Sequence, residues 1–336
     1  MRIAATGVCH SDQNAIDGTA PTRCPAVLGH EGAGVVQAVG PGVDLPVGAH
    51  VVLSWLPACG ACEDCVDGLA HLCRVAWTAV GDGTLLDGTT RLARDGEPVF
   101  HYSLLSTFAT HAVVPASACV PIPDDVPFDV AALIGCAVLT GVGAVWNTAR
   151  VRPGDRVAVL GCGGVGLNAV MGAVAAGADP VVAVDVSHEK LTAARECGAT
   201  HVIPWAGSAE ATADAVVEAT RGGVDYAFEA TGRPEVSRAA FLSTRRRGAA
   251  VLVGIPGTEA EVSFPARSIP LLERRVLGCI YGSSSPARDV PRILSLYRSG
   301  RLPLDRLVSH RLNLDDVNEA LRLMHDGQAR RVVLTP

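Results

Sequence analysis

Residues 156–166 read Arg-Val-Ala-Val-Leu-Gly-Cys-Gly-Gly-Val-Gly, an apolar run that ends in the pattern G-x-G-x-x-G. The apolar run predicts a buried strand, and the residues from Leu167 to Ala176 predict a helix behind it. In such a turn the first glycine permits the bend, the second lets the backbone approach a pyrophosphate, and the third lets helix and strand pack closely. The stretch therefore predicts a dinucleotide site. Its turn consists of Gly161, Cys162, Gly163, Gly164, Val165 and Gly166.

The glycine pattern alone is weak evidence for a dinucleotide site in a chain with 36 glycines, and a plain packing loop is the alternative. Asp185 strengthens it, because this acid follows the next predicted strand, Pro180–Val184, where a carboxylate can bind both ribose hydroxyls. The same charge would repel a 2′-phosphate, which favours NAD over NADP. Lys190, the only lysine, either approaches the adenosine ribose or is a solvated helix charge.

Strands and helices alternate after this turn, which predicts βαβ units and a doubly wound parallel sheet at residues 138–280. Earlier residues show short β runs separated by Gly and Pro, such as Gly34–Val39, His50–Leu53 and Thr110–Val114. They predict a β-rich domain at residues 1–137, to which residues 281–336 return. The fold class is therefore α/β with a second, β-rich domain.

Bulk composition excludes several classes of protein. The 336 residues suggest two domains, and the net charge of −6 gives no reason to expect a nucleic-acid partner. No leader is visible at Met1, and we expect no apolar run to approach the ~20 residues of a membrane span. A thiol-rich chain without a secretory signal is expected in a reducing compartment, and we predict a cytoplasmic protein.

Four cysteines stand in the pattern C-x2-C-x2-C-x7-C within the predicted lobe 56–76: Cys59, Cys62, Cys65 and Cys73. Four thiolates so close together can hold one zinc ion in a closed, structural site. The alternative is a disulfide cluster or a chance run of buried thiols.

A second set of candidate ligands is Cys9, His30 and Cys136. Two thiolates and an imidazole leave the fourth tetrahedral position of zinc to water or substrate, as catalytic zinc requires. The three residues are far apart in the sequence, other His and Cys residues compete, and Cys136 alone is more often a small buried residue.

The order of these motifs, together with Gly29-His30-Glu31-Gly32 and the final Arg331-Val332-Val333, resembles the zinc-dependent alcohol dehydrogenases of the medium-chain dehydrogenase/reductase superfamily. The chain looks closest to the branch that includes the animal and plant enzymes and the formaldehyde dehydrogenases. The resemblance implies a GroES-like catalytic domain, a Rossmann domain and oxidation of an alcohol with hydride transfer to NAD. It also implies two zinc ions per subunit and a homodimer joined through the strand Arg275–Tyr281.

The resemblance assigns further roles residue by residue. Glu31 is an alternative zinc ligand, Asp12 orients His30, and Ser11 takes the proton from the alcohol. His10 and Arg331 match pyrophosphate contacts, and Thr140 and Val253 match residues near the nicotinamide. The pocket-lining aromatics are Trp55, Trp77 and Tyr102, although ordinary core filling is the alternative for Trp77.

Three departures from the family pattern stand out. Asn14 replaces a histidine that passes the proton to solvent, so we expect slower or more alkaline-dependent turnover. Trp77 replaces an arginine that binds a glutathione carboxylate, which speaks against glutathione but leaves another thiol carrier open. Relatives also have some tens of residues before the position of Cys9, so we expect a truncated product or a misassigned start.

The leading hypothesis is an NAD-dependent zinc alcohol dehydrogenase for primary or aromatic alcohols. The alternative enzyme is a thiol-adduct formaldehyde dehydrogenase. A hypothesis of a different class is a catalytically silent protein that keeps zinc only in the four-cysteine lobe.

Overall fold

The computed structural model describes residues 1–336 and divides into two compact units. The first unit contains residues 1–136, 285–294 and 304–336, and the second contains residues 137–284 and 295–303. The strands, in chain order, are β1 Arg2–Gly7, β2 Ala26–Val27, β3 Glu31–Val35, β4 His50–Leu53, β5 Leu92–Arg94, β6 Glu97–His101, β7 Cys119–Pro121, β8 Val157–Leu160, β9 Val181–Asp185, β10 His201–Pro204, β11 Val224–Glu229, β12 Thr244–Leu252, β13 Arg275–Gly278, β14 His310–Asn313 and β15 Val332–Thr335.

The helices are mostly short, and several connect directly to one another. The α-helices are α1 His10–Ile16, α2 Glu63–Val66, α3 Arg74–Asp82, α4 Phe128–Leu133, α5 Leu139–Gly143, α6 Gly164–Ala175, α7 His188–Glu196, α8 Ala209–Ala219, α9 Pro234–Leu242, α10 Ser268–Leu272, α11 Pro286–Arg298 and α12 Val317–His325. Two π-helical segments, Ile134–Val138 and Ala144–Ala149, flank α5, and 3₁₀ turns occur at Ala70–Leu72, Ala116–Ala118, Tyr281–Ser283, Leu304–Leu307 and Leu314–Asp316.

The first unit is built on a six-stranded sheet in the order β14-β15-β1-β3-β4-β7, with a separate three-stranded sheet β2-β6-β5. β1 is central and pairs antiparallel with both β3 and β15. Its alternate residues Ile3 and Ala5 are buried, and Ile3 packs with Val51 and Leu53 in the core. The pairing of β1 with β3 brings the loops that follow β1 close to the start of β3, where the candidate ligands lie.

The second unit contains a parallel six-stranded sheet in the order β10-β9-β8-β11-β12-β13. Its central strand β8, Val157–Leu160, is buried at every residue, as expected for a parallel strand covered on both faces. The predicted doubly wound parallel sheet is confirmed. The reversal of strand order lies beside β8, so the turn after β8 stands at the switch point where such sheets bind ligands.

Some predicted elements and boundaries are wrong. Residues Thr110–Val114 form no strand, because only a single bridge pairs Arg2 with His111. Residues 281–284 and 295–303 belong to the second unit, not to the first as expected. The hydrogen bonds from Ser284 Oγ to the Leu139 carbonyl and from Arg301 Nη2 to the Ala175 carbonyl explain this difference.

The expectation that no apolar run approaches membrane-spanning length is also wrong. The helical stretch Phe128–Ala149 is 22 residues long, its most apolar 18-residue window has a mean hydropathy of 2.0, and its length and composition would allow it to cross a membrane. However, 78% of its most apolar window is buried inside the protein, as in the core helix of a soluble protein.

Candidate active site

Three separate segments of the first unit bring four potential metal ligands together. Cys9 is the N-cap of α1 just after β1, whereas His30 and Glu31 stand at the start of β3. Cys136 lies in the π-helical segment after α4, and such segments often occur at functional sites. One ligand atom from each of these residues lies within 4.8 Å of the other three. The structure therefore gathers side chains that are far apart in the sequence.

The donor set fits a divalent zinc ion. His30 is 2% exposed, and its Nε2 atom is buried without a hydrogen-bond partner. An unpaired buried polar atom is costly unless something ligates it, and both imidazole nitrogen and thiolate sulfur are ligands of zinc in proteins. His30, Cys9 and Cys136 thus can hold zinc, with a fourth position left for another ligand.

Asp12 is not itself in the ligand set but holds two of the ligand residues, Cys9 and His30, in place. Its side chain is fully buried, and its Oδ1 lies 3.2 Å from His30 Nδ1. The same carboxylate accepts from the Gly29 and Cys9 backbone N–H groups, each at 3.0 Å. Asp12 therefore fixes both the ring of His30 and the loop that carries Cys9, as carboxylates behind metal-binding histidines do.

Glu31 is paired with Arg331, a contact that sequence reasoning did not find. Arg331 Nη2 lies 3.3 Å from Glu31 Oε1, both side chains are buried, and Arg331 Nη1 donates to the Val8 carbonyl at 3.0 Å. Burial raises the pKa of Glu31 to about 7, an effect that the positive charge of Arg331 opposes. Arg331, predicted as a pyrophosphate contact, is thus also the counter-ion of the metal-ligand cluster.

The thiols and imidazole of the cluster polarise one another. The hydrogen bond with Cys136 holds the pKa of Cys9 well below its usual value against the effect of burial, and the same bond raises the pKa of Cys136. Burial opposes protonation of His30, but the charge and hydrogen bond of Asp12 raise its pKa. The ligand set thus includes a thiol that ionises readily, as zinc binding needs.

Ser11, predicted to take the proton from the alcohol, lies at the edge of this cluster, and Asn14 and His10 lie on the same helix. Ser11 is half-buried, and its Oγ is 3.8 Å from Cys9 Sγ. Asn14 is half-buried one helical turn further along α1. The exposed His10 begins that helix.

The four-cysteine lobe is also assembled. The sulfur atoms of Cys59 and Cys65 are 4.0 Å apart, and those of Cys62 and Cys73 are 3.9 Å apart. Ligands about 2.3 Å from a tetrahedral ion stand about 3.8 Å from each other, whereas disulfide sulfurs stand about 2.0 Å apart. All eleven cysteines of the chain are free thiols, so the geometry matches a metal site and contradicts a disulfide cluster.

The backbone favours a thiolate at Cys59 of the lobe. The N–H groups of Ala61 and Cys62 donate to Cys59 Sγ at 3.5 and 3.3 Å, and these bonds lower the pKa of Cys59 to about 6. With four sulfurs around one point, no coordination position remains for a substrate.

Three predicted pocket aromatics occupy two places. Trp55 and Trp77 meet edge to face, with ring centroids 5.6 Å apart, and Trp77 Nε1 donates to the His71 carbonyl of the lobe at 3.3 Å. Tyr102 instead lies against the metal-ligand cluster, where its ring meets that of His30 edge to face at 5.5 Å. Trp77 is 36% exposed, which leaves its face available for contact.

In the second unit the glycine turn is formed as the pattern predicts. Gly161 has a φ of +95°, which favours glycine, and a Cβ at Gly166 would clash with the Gly161 carbonyl oxygen. A Cβ at Gly163 would meet nothing, so open space lies before the start of α6. The backbone N–H groups there can receive a phosphate.

Asp185 ends β9 beside this turn. Its carboxylate accepts from the Cys162 N–H at 2.7 Å and the Ser187 N–H at 2.9 Å, which orients it while leaving acceptor capacity. Lys190 follows in α7, Val253 lies just after β12, and Thr140 lies in α5.

Comparison with known proteins identifies the family. Residues 1–124 match the family model described as the alcohol dehydrogenase GroES-like domain, and residues 164–299 match that of the zinc-binding dehydrogenases. S-(hydroxymethyl)glutathione dehydrogenase of Paracoccus denitrificans is 39% identical over 99% of this chain and 91% of its own length. The chain belongs to the zinc-dependent alcohol dehydrogenases.

Two further relatives show the breadth of this family. The class-3 alcohol dehydrogenase of Cereibacter sphaeroides is 37% identical over 99% of this chain and 91% of its own length. The crystal structure of benzyl alcohol dehydrogenase from Acinetobacter calcoaceticus has a TM-score of 0.93 and 34% identity, covering 99% of this chain and 90% of that one. The predicted fold class and family of this chain are thereby confirmed.

The comparisons also bear on the cofactors. The prediction of zinc and a nicotinamide dinucleotide is confirmed at the level of the family. The choice between NAD and NADP stays a prediction, as do the roles of individual residues.

Proposed function

We propose that this chain is an NAD-dependent zinc dehydrogenase that oxidises the hydroxymethyl group of a thiol–formaldehyde adduct. The gathering of Cys9, His30 and Cys136 around one point, with His30 Nε2 unpaired, carries the proposal of an oxidoreductase. The similarity to S-(hydroxymethyl)glutathione dehydrogenase supports this substrate class. The similarity thus favours the alternative of the sequence analysis over simple primary or aromatic alcohols.

The residues of the cluster have distinct tasks in this reaction. A zinc ion held by Cys9, His30 and Cys136 would act as a Lewis acid on the substrate oxygen. Asp12 keeps the His30 ring oriented through its 3.2 Å contact with Nδ1. The Ser11 hydroxyl accepts the proton of the substrate hydroxyl. Because Asn14 cannot titrate near neutral pH, this side chain does not carry the proton on to solvent.

The chemistry of the adduct balances as an ordinary alcohol oxidation. The substrate carbon carries a hydroxyl, a sulfur and two hydrogens. One hydrogen leaves as hydride to NAD, the hydroxyl proton leaves to solvent, and the product is an S-formyl thioester and NADH. No oxidant besides NAD is needed.

A smaller set of observations favours an aromatic alcohol as the second candidate. The Trp55–Trp77 pair offers an apolar, edge-to-face surface on which a benzyl group can pack. The similarity to benzyl alcohol dehydrogenase is nearly as extensive as that to the formaldehyde enzymes.

A substrate panel separates these candidates. We expect NAD reduction with formaldehyde plus a low-molecular-weight thiol to exceed that with benzyl alcohol by about tenfold or more in kcat/KM. Glutathione, cysteine, coenzyme A and cysteinyl sugar thiols serve as carriers, and formaldehyde without thiol is the control. Activity with benzyl alcohol and none with any adduct would reverse the order of the two candidates.

Trp77 provides a test of the carrier. Trp77→Arg places a guanidinium where the aromatic face stands, so kcat/KM for the glutathione adduct should rise about tenfold and that for benzyl alcohol should fall. Val75→Arg, an exposed position on the same helix, is the matched control. Equal effects of both variants would show that Trp77 does not contact the substrate.

Asp185 tests the proposed preference for NAD. Asp185→Asn keeps a hydrogen-bonding side chain but removes the charge, so the NAD/NADP ratio of kcat/KM should fall about tenfold or more. Steady-state kinetics with both cofactors measures this ratio, and Asp214→Asn on the exposed side of α8 is the control. An unchanged ratio would place the carboxylate away from the ribose.

Assembly and location follow as further parts of the proposal. β13 is an edge strand of its sheet, its residue Val276 is 38% exposed and Leu271 of the preceding helix α10 is 60% exposed, so a second copy can cover this edge. Light scattering of the full chain measures whether the homodimer forms. The eleven free thiols support a reducing, cytoplasmic location, which fractionation of the native host tests.

A further inference from the structure

The segment from Tyr102 to Thr107 has an unusual backbone. Ser103, Leu104 and Ser106 have φ angles of 50°, 60° and 53°, a region that residues with side chains rarely adopt. Such a backbone conformation is unfavourable and persists only where its surroundings hold it. Leu104 is fully buried, so its packing helps to hold the turn. Three strained residues within four positions indicate that the turn is under a specific constraint.

Hydrogen bonds tie this turn to the chain that carries His30. The Thr107 N–H donates to the Gly29 carbonyl and the Phe108 N–H donates to the Leu28 carbonyl, at 2.9 and 3.0 Å. The Tyr102 carbonyl accepts from the Leu105 N–H at 3.1 Å and the Ser106 N–H at 3.2 Å. The strained turn therefore fixes the position of Tyr102 relative to the metal-ligand cluster.

The Tyr102 side chain uses this position to make two contacts. Its hydroxyl donates to the Ser11 backbone carbonyl at 2.7 Å, and its ring lies edge to face with His30. Burial raises the pKa of Tyr102, with a further rise from the charge of Asp12, so the phenol stays a neutral donor. Because the hydroxyl already donates to Ser11, its one O–H donor is not available to a substrate in this arrangement.

We propose that Tyr102 is a positioning residue that places the Ser11 hydroxyl for proton transfer and holds the His30 ring. The role rests on the proposed function, since it acts through the residue that takes the substrate proton. This role adds to the pocket-lining role predicted for Tyr102, which stays a prediction. The carbonyl bond sets the backbone of Ser11, and the backbone sets where its Oγ stands.

Kinetics of matched variants test this role. Tyr102→Phe keeps the ring against His30 and deletes only the donor, so kcat at pH 7 should fall about tenfold with KM unchanged. The defect should shrink to within about twofold near pH 10, where hydroxide takes the proton directly. Tyr226→Phe, which removes a phenol from the middle of β11 in the second unit, is the control.

A double-mutant cycle shows whether Tyr102 acts through Ser11. Ser11→Ala alone should lower kcat about 100-fold, and adding Tyr102→Phe should lower it no more than about twofold further. The proposal would be overturned if the kcat losses of the two single variants multiplied in the double variant. It would also be overturned if the kcat loss of Tyr102→Phe were independent of pH, or if its KM rose at constant kcat.

A measurement that needs no turnover keeps this inference separate from the proposed function. Removing the donor to Ser11 should speed amide hydrogen exchange at least about fivefold in a peptide covering residues 9–17, relative to wild type and Tyr226→Phe. Unchanged exchange there would overturn the positioning role even in an active enzyme. If no substrate of the panel is oxidised, the proposed function fails and this exchange experiment still decides whether Tyr102 holds the Ser11 segment.

Discussion

Cys136→Ala is expected to lower kcat at least about 1,000-fold while the protein stays folded. Lewis-acid stabilisation by a metal is worth several kcal/mol, and each 1.36 kcal/mol is tenfold in rate. Without Cys136 the cluster keeps one thiol, an imidazole and Glu31. The rest of the π-helical segment is apolar and buried, so the fold does not depend on this thiol.

Metal analysis completes the Cys136 experiment. Zinc should fall from about two to about one per chain, and the thermal midpoint should change little. Cys119→Ala is the matched control, because Cys119 is another half-buried thiol of the first unit that belongs to neither cluster. Full turnover of Cys136→Ala with one zinc would contradict the assignment of the open site.

Cys59→Ala is expected to have the opposite profile. It removes one of four ligands from a closed site, and structural zinc sites contribute ~10–16 kcal/mol in model peptides. The lobe contains only short helices and exposes Val66, Leu69 and Leu72, so it has little apolar core of its own. We expect the thermal midpoint to fall by about 10 °C or more.

Calorimetry and turnover on the same Cys59→Ala preparation provide the decisive comparison. Molecules that stay folded should keep kcat within about threefold of wild type, since the open cluster is intact. Cys24→Ala, at an exposed cysteine outside both clusters, controls for loss of a thiol. A stable but inactive Cys59→Ala protein would show that the assignment is reversed, with the four-cysteine lobe as the catalytic site.

The features that sequence predicts well are local ones. The glycine turn and the four-cysteine spacing each lie within one short stretch, so their geometry follows from the chain itself. Strand Arg156–Leu160 is found at Val157–Leu160 because a parallel strand buried on both faces is apolar throughout. By contrast, Thr110–Val114 has strand-like residues but pairs with Arg2 of β1 through only one bridge, which only tertiary structure reveals.

The candidate site is predictable only in part, because its residues meet through the fold. Spacing alone left Cys9, His30 and Cys136 among several possible sets, and the family resemblance selected them. The Glu31–Arg331 pair depends on the pairing of β1 with β3 and β15. The bond from Tyr102 to Ser11 joins residues 91 positions apart and leaves no trace in local pattern.

The most direct test of the central claim is an anomalous difference map at the zinc edge from crystals of the full chain. We predict two peaks per chain. One should lie among the sulfurs of Cys59, Cys62, Cys65 and Cys73, and the other should contact Cys9 Sγ, His30 Nε2 and Cys136 Sγ. A single peak, in the four-cysteine lobe alone, would contradict the claim and leave the silent, non-catalytic hypothesis in its place.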